Sequence, residues 1–145
     1  MALPFRKDLA AGAALVVCCW TLALASALLA RRSGVPLCAQ DSVPLKPEYQ
    51  VDVALQDGRT VSLCNVTCAL LYLKEAGRRA ARVIVRDETT GAPLDPASAF
   101  FVESDVFTHR ESSNRVHVFA SRADAQEHAR EYGGRFVPDP FPPPR

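Results

Sequence analysis

Apolar and polar residues follow three different rhythms along this 145-residue chain. Residues 9–30 are almost continuously apolar, broken only by Gly12, Thr21 and Ser26. As a helix this run would extend roughly 33 Å, enough to cross a hydrocarbon layer of roughly 30 Å. From residue 49 the pattern changes to alternation. Val51, Val53 and Leu55 fall on one face of an extended segment, and Asp52 and Gln56 on the other. Asp57-Gly58 follows, and alternation resumes over 60–64, which is the signature of a β-hairpin. Asn65 is a helix N-cap residue, and 66–76 reads as a helix stopped by Gly77.

The remainder repeats that order. Residues 81–86 read as a third strand, and Thr89-Thr90-Gly91-Ala92-Pro93 as a turn. Strands are predicted at 99–103 and 115–120. Ser121 caps a helix over 122–132, Gly133-Gly134 ends it, and 135–137 forms a closing strand. The predicted fold is α+β: two strand–strand–helix–strand units with antiparallel sheets, preceded by one N-terminal transmembrane helix. The domain proper spans 49–137. Residues 33–48, with their prolines and weak periodicity, read as a linker, and the proline-rich 138–145 as an extended tail.

Arg6 and Lys7 precede the apolar run, and Arg31 and Arg32 follow it. The run is long for the core of a cleaved signal, so residues 1–32 read as a retained signal anchor. Ala25-Ser26-Ala27 supplies a small-residue triplet for the alternative, a cleaved signal. Charge on both flanks orients the segment weakly. The expected arrangement is a single-pass protein of the cell inner membrane, with the domain facing the periplasm or exterior and the membrane as its first partner. Cys18 and Cys19 sit inside the apolar run and behave there as small apolar residues.

Charge narrows the function classes. After residue 32 the balance is slightly acidic, and Arg78, Arg79 and Arg82 form the densest basic cluster, read as a solvated helix end. This is no nucleic-acid footprint. The chain has no glycine-rich phosphate loop and no nucleophile with an evident base, and Asp41, Asp105 and Glu103 lack an acid–base spacing. An enzyme acting on a small-molecule substrate is therefore not expected. About 100 residues can fold without a metal or disulfide, so a metal here would be functional.

Ser98-Ala99-Phe100-Phe101-Val102-Glu103-Ser104-Asp105-Val106, Val118-Phe119-Ala120-Ser121-Arg122-Ala123-Asp124-Ala125 and Tyr132-Gly133-Gly134 together resemble the NosL family, accessory proteins of nitrous oxide reductase and related copper-handling proteins. The first half fits through a Cys-bearing lead-in, Asp57-Gly58 between strands, and a helix with Leu70-Leu71-Tyr72-Leu73. The resemblance covers roughly residues 38–137. It implies a tethered extracytoplasmic protein that binds Cu(I) and passes it to a copper-receiving protein. Members carry a Cys-x-x-Cys-Gly-Met stretch where this chain reads Cys38-Ala39-Gln40-Asp41-Ser42-Val43. They often carry a methionine after Ser-Asp-Val, where this chain reads Phe107-Thr108-His109-Arg110.

Cu(I) takes thiolate, thioether and imidazole donors. Cys64 closes the second predicted strand, and Cys68 falls one helical turn later, so the two can point the same way. The pair fits a metal site, a local disulfide in an oxidising compartment, or two core thiols. A helix N-terminus favours thiolate at such a position. Cys38 and His109 are the auxiliary candidates, His109 occupying the approximate place of the family's methionine. With Cys64 and Cys68 they would hold Cu(I) as the cargo of a metallochaperone or assembly factor. The alternatives are a thiol–disulfide protein that maintains a partner's cysteines and a scaffold of the same fold that binds no metal. His117 alternates with Val116 and Val118 and is expected on an exposed face; His128, beside Glu127 and Arg130, is expected to be solvated. Asn65-Val66-Thr67 also matches a glycosylation acceptor, but the cap is the simpler reading.

Overall fold

The structure is a computed structural model and describes residues 34–75 and 80–141. The expected transmembrane helix and the helix stop at Gly77 lie outside those residues. Among the described residues no helix is long and apolar enough to cross a membrane.

Alternation becomes strand wherever one face can be buried. β1 (Val51–Leu55) turns Val51, Val53 and Leu55 wholly inward, and the alternate residues Asp52 and Ala54 stay half-buried. It pairs antiparallel with β2 (Thr60–Leu63), Val51 opposite Leu63 and Val53 opposite Val61. The turn between them closes through Gly58 N–H to Leu55 C=O at 3.0 Å, with Gly58 at φ 86°, a left-handed conformation that glycine adopts without strain. Helix α1 (Val66–Glu75) buries Val66, Cys68, Ala69 and Tyr72, a three-and-four spacing that makes one inward stripe. β3 (Ala80–Arg86) then returns along the free edge of β1. A two-residue strand, β4 (Pro93–Leu94), and a 3-10 turn at Pro96–Ser98 extend this half where only a turn was expected.

The second half takes the same route. β5 (Phe100–Glu103) pairs with β6 (Val116–Phe119); helix α2 (Arg122–Glu131) crosses over; β7 (Arg135–Val137) lies on the other edge of β5. The sheet orders are β2-β1-β3-β4 and β6-β5-β7. The fold is therefore the expected α+β arrangement of two antiparallel sheets and two helices. Helix α2 starts at Ser121, whose hydroxyl accepts from Ala123 and Asp124 N–H, and ends at Gly133 and Gly134. Gly133 has φ 62°, and Gly134 N–H reaches Ala129 C=O at 2.7 Å, as in a Schellman-type close. A Cβ on Gly134 would lie 2.8 Å from Val102 Cγ1, so glycine alone fits there.

One large core joins the halves. Val53, Leu63 and Val85 of the first sheet meet Phe101 and Val118 of the second in a single apolar cluster. The opposite face of the second sheet is not solvent. Val102 and Phe119 pack there against Ala125 and Ala129 of α2. This corrects two expectations. His117, on that face, is 2% exposed, because the helix covers it. Its Nδ1 lies 2.9 Å from Glu88 Oε2 and its Nε2 3.2 Å from Val106 C=O. A carbonyl only accepts, so Nε2 donates, and a proton is shared between Nδ1 and the carboxylate. His128 is half-buried rather than solvated: its ring lies against that of His117, tilted 43° with centroids 4.1 Å apart, and Nε2 faces Ser104 Oγ at 3.1 Å. Glu88 also accepts from Val118 N–H at 3.0 Å and Asp87 from Ala120 N–H at 3.0 Å, so the residues after β3 stitch the first sheet to the second.

The segment read as a linker is folded in. Leu37 bridges Pro44, Cys38 N–H reaches Val43 C=O at 2.8 Å, and Leu45 N–H reaches Pro36 C=O at 2.9 Å. This small hairpin is pinned to β2 by Ala39 N–H to Ser62 C=O at 3.0 Å, and Cys38 and Leu45 enter the core. The start of the tail is folded in as well, with Phe141 in the same core.

Candidate metal centre

Asn65 sets the geometry of the site. Its side-chain oxygen accepts from Cys68 N–H at 2.9 Å, which caps α1 and fixes Cys68 in the first turn. Its amide nitrogen donates to Cys64 Sγ at 3.1 Å and to Ser112 Oγ at 2.7 Å. Asn114 completes the cap from across the fold. Its Oδ1 accepts from Thr67 N–H at 3.2 Å and Thr67 Oγ1 at 2.7 Å, while its Nδ2 donates to Thr108 Oγ1 and Val116 C=O. The loop between β5 and β6 is thus fastened to the start of α1, with Ser113 at φ 51° in its turn.

Four potential ligand atoms converge at this helix start. The sulfurs of Cys38, Cys64 and Cys68 and a carboxylate oxygen of Asp41 all lie within 4.8 Å of one another. Cys64 Sγ and Cys68 Sγ are 3.4 Å apart and unbridged. Asp41 Oδ2 is 3.2 Å from Cys68 Sγ and 3.6 Å from Cys64 Sγ. Its Oδ1 accepts from Val43 N–H at 3.2 Å, which holds the carboxylate in place. The three thiols are buried, whereas Asp41 is exposed and forms the open side.

The thiols differ electrostatically. The hydrogen bond from Cys64 stabilises the Cys68 thiolate and, against burial, holds Cys68 below the ordinary thiol range. Serving as that donor, together with burial, pushes Cys64 well up. Burial and a hydrogen bond to Asp41 push Cys38 up. Burial works against the Asp41 carboxylate, but hydrogen bonds from Cys38 and Cys68 outweigh it and hold the group below its usual value. Cys68 is therefore the thiol of the three that gives up its proton most readily, and the Asp41 carboxylate beside it is charged. Three soft donors and one hard one suit a thiophilic metal ion.

Of the four predicted ligands, Cys64, Cys68 and Cys38 are brought together. His109 is not among the clustered atoms; it is buried, with Nδ1 2.8 Å from Glu111 Oε2. Asp41 was missed as a ligand. Its signal was its place three residues after Cys38, where the resembled family has its second cysteine.

The fold matches the crystal structure of the copper chaperone NosL from Shewanella denitrificans, with a TM-score of 0.59 over 70% of this chain and 85% of that one, at 14% sequence identity. No protein-family model matches the chain, and no curated protein does. The likeness bears out the NosL-like fold expected from the sequence.

Proposed function

We propose that this chain is a membrane-anchored extracytoplasmic Cu(I)-binding protein, acting as a metallochaperone or assembly factor for a copper enzyme. The observation that carries the reading is the convergence of Cys38 with Cys64 and Cys68 from two separate segments at one helix start. A linear two-coordinate ion would need its sulfurs about 4.6 Å apart, taking metal–sulfur bonds near 2.3 Å. The 3.4 Å between Cys64 and Cys68 instead suits a bent site completed by a third donor, Cys38. His109, whose Nδ1 now meets Glu111, would join as an auxiliary donor only on leaving that partner. Transfer proceeds by ligand exchange with a copper-receiving partner, not by catalysis, and the open side gives an incoming donor its approach. The apolar run at 9–30 is the membrane anchor, which keeps the domain beside its partner on the outer face.

The test is an anaerobic Cu(I) titration of the reduced protein in competition with a calibrated chelator, beside the Cys64→Ser, Cys68→Ser double variant. One equivalent bound tightly by the native protein and lost in the variant is expected. No binding by the native protein would sink the copper reading. One observation favours a second reading, a thiol–disulfide protein: Cys64 and Cys68 are unbridged with their sulfurs 3.4 Å apart, close enough to join on oxidation. Its signature would be reversible loss of two free thiols on mild oxidation.

A further inference from the structure

Asp41 gives the site a fourth corner. The edges of its triangle with Cys64 and Cys68 measure 3.4 Å between the sulfurs, and 3.2 and 3.6 Å from sulfur to Oδ2. A regular tetrahedron built on zinc-like bonds has edges of about 3.8 Å between sulfurs and about 3.6 Å from sulfur to oxygen. The observed edges fall within about 0.4 Å of those values, and Cys38 supplies the remaining vertex within the same 4.8 Å envelope. The carboxylate is also pre-oriented. Val43 N–H holds Oδ1, and Oδ2 is the oxygen nearer the sulfurs, Oδ1 lying 3.9 Å from Cys64 Sγ. That hold depends on Ser42 at φ 60°, a left-handed residue closing the turn through its N–H to Cys38 C=O at 2.9 Å.

We infer that Cys38, Cys64, Cys68 and Asp41 form a tetrahedral three-sulfur, one-oxygen site that also takes a divalent borderline cation of the zinc and cobalt class, with Asp41 setting that preference. Cu(I) is satisfied by two or three soft donors and gains little from a carboxylate. A divalent ion of tetrahedral preference gains a fourth bond and a fourth negative charge from it. The carboxylate thus discriminates by metal charge, and removing it leaves the three sulfurs in place. On binding, the thiol protons go to solvent and the sulfurs bind as thiolates. The inference rests on the metal-binding part of the proposed function, not on copper as the cargo.

The test is a Co(II) titration of the reduced, full-length protein, followed by tetrahedral visible bands and thiolate-to-cobalt charge transfer. Zn(II) would then displace the cobalt, and Cu(I) competition would be run in parallel. Native protein is expected to give one tetrahedral Co(II) with three-thiolate charge-transfer intensity. Asp41→Ala should weaken Co(II) and Zn(II) about tenfold or more and leave Cu(I) within about threefold. Asp41→Cys should restore tetrahedral binding with charge transfer stronger by one further thiolate, an outcome that a merely structural role for Asp41 would not produce. Cu(I) binding without any Co(II) binding would overturn this inference and leave the proposed function standing. Co(II) binding without Cu(I) would do the reverse. Equal weakening of both metals in Asp41→Ala, or none, would overturn the selectivity assigned to Asp41.

Discussion

The two halves of this domain share a blueprint and differ in what they place at one point of it. Each runs strand, strand, ten-residue helix, strand, with the first strand in the middle. Each helix begins at a side-chain cap, Asn65 in one and Ser121 in the other. Around the cap the first half reads Cys64 before it and Cys68 three residues after; the second reads Ala120 and Asp124. The backbone positions correspond, but only one half carries thiols there. What separates them further is an outside contribution. The hairpin before β1 brings Cys38 and Asp41 to the first helix start, while the second receives only the Asp87 carboxylate on the Ala120 N–H. A helix start is thus generic architecture, and the added segment makes it a site.

Whether the halves are independent modules can be broken open first at Phe101. This residue belongs to the second sheet but is buried in the core shared with the first. Phe101→Ala should cost about 3–5 kcal/mol, and chemical denaturation should remain a single transition by both fluorescence and circular dichroism. Two separated transitions would mean that the halves fold separately.

The caps provide a finer comparison. Ser121→Ala should cost about 1 kcal/mol, the usual loss for a cap that serves only its helix. Asn65→Ala should cost about 2–3 kcal/mol in urea denaturation, because it also removes the partner of buried Cys64 and of half-buried Ser112. Equal costs would remove the special standing given to the first helix start.

The smallest expected effect concerns the seam. Burial pushes the Glu88 carboxyl above its ordinary 4.5. A group raised on folding contributes stability that is fully present below the unfolded value and is lost as pH rises through the folded one. The stability of the native protein relative to Glu88→Gln should therefore fall as pH rises above 4.5. Thermal melts of both proteins across that range check the slope, and parallel curves would remove Glu88 from the seam's pH response.

Local rules read most of the fold from the sequence. Alternation gave strands within a residue or two, because each strand has one face in the shared core; cap signals placed the two helix starts, and Gly133-Gly134 the end of α2. What escaped them is long-range. Alternation says that His117 faces away from Val116 and Val118, but not that α2 lies over it. The lead-in has proline and polar residues and no period, so its pairing of Ala39 with Ser62 leaves no local trace. For the site, three of the clustered donors were legible as cysteines. Asp41 was marked only by its place three residues after Cys38, and the turn that aims one of its oxygens at the sulfurs has no spacing rule of its own.

The lead-in hairpin has one further consequence, in chain entropy. A cation gripped by Cys38 and Cys68 would tie together two points about 30 residues apart and close a loop around β1 and β2. A crosslink over a loop of that length removes roughly 3–4 kcal/mol of freedom from the unfolded chain. Loading would then act as a reversible staple on the amino-terminal half, and release of the cargo would loosen the same strands that hold the empty site in shape.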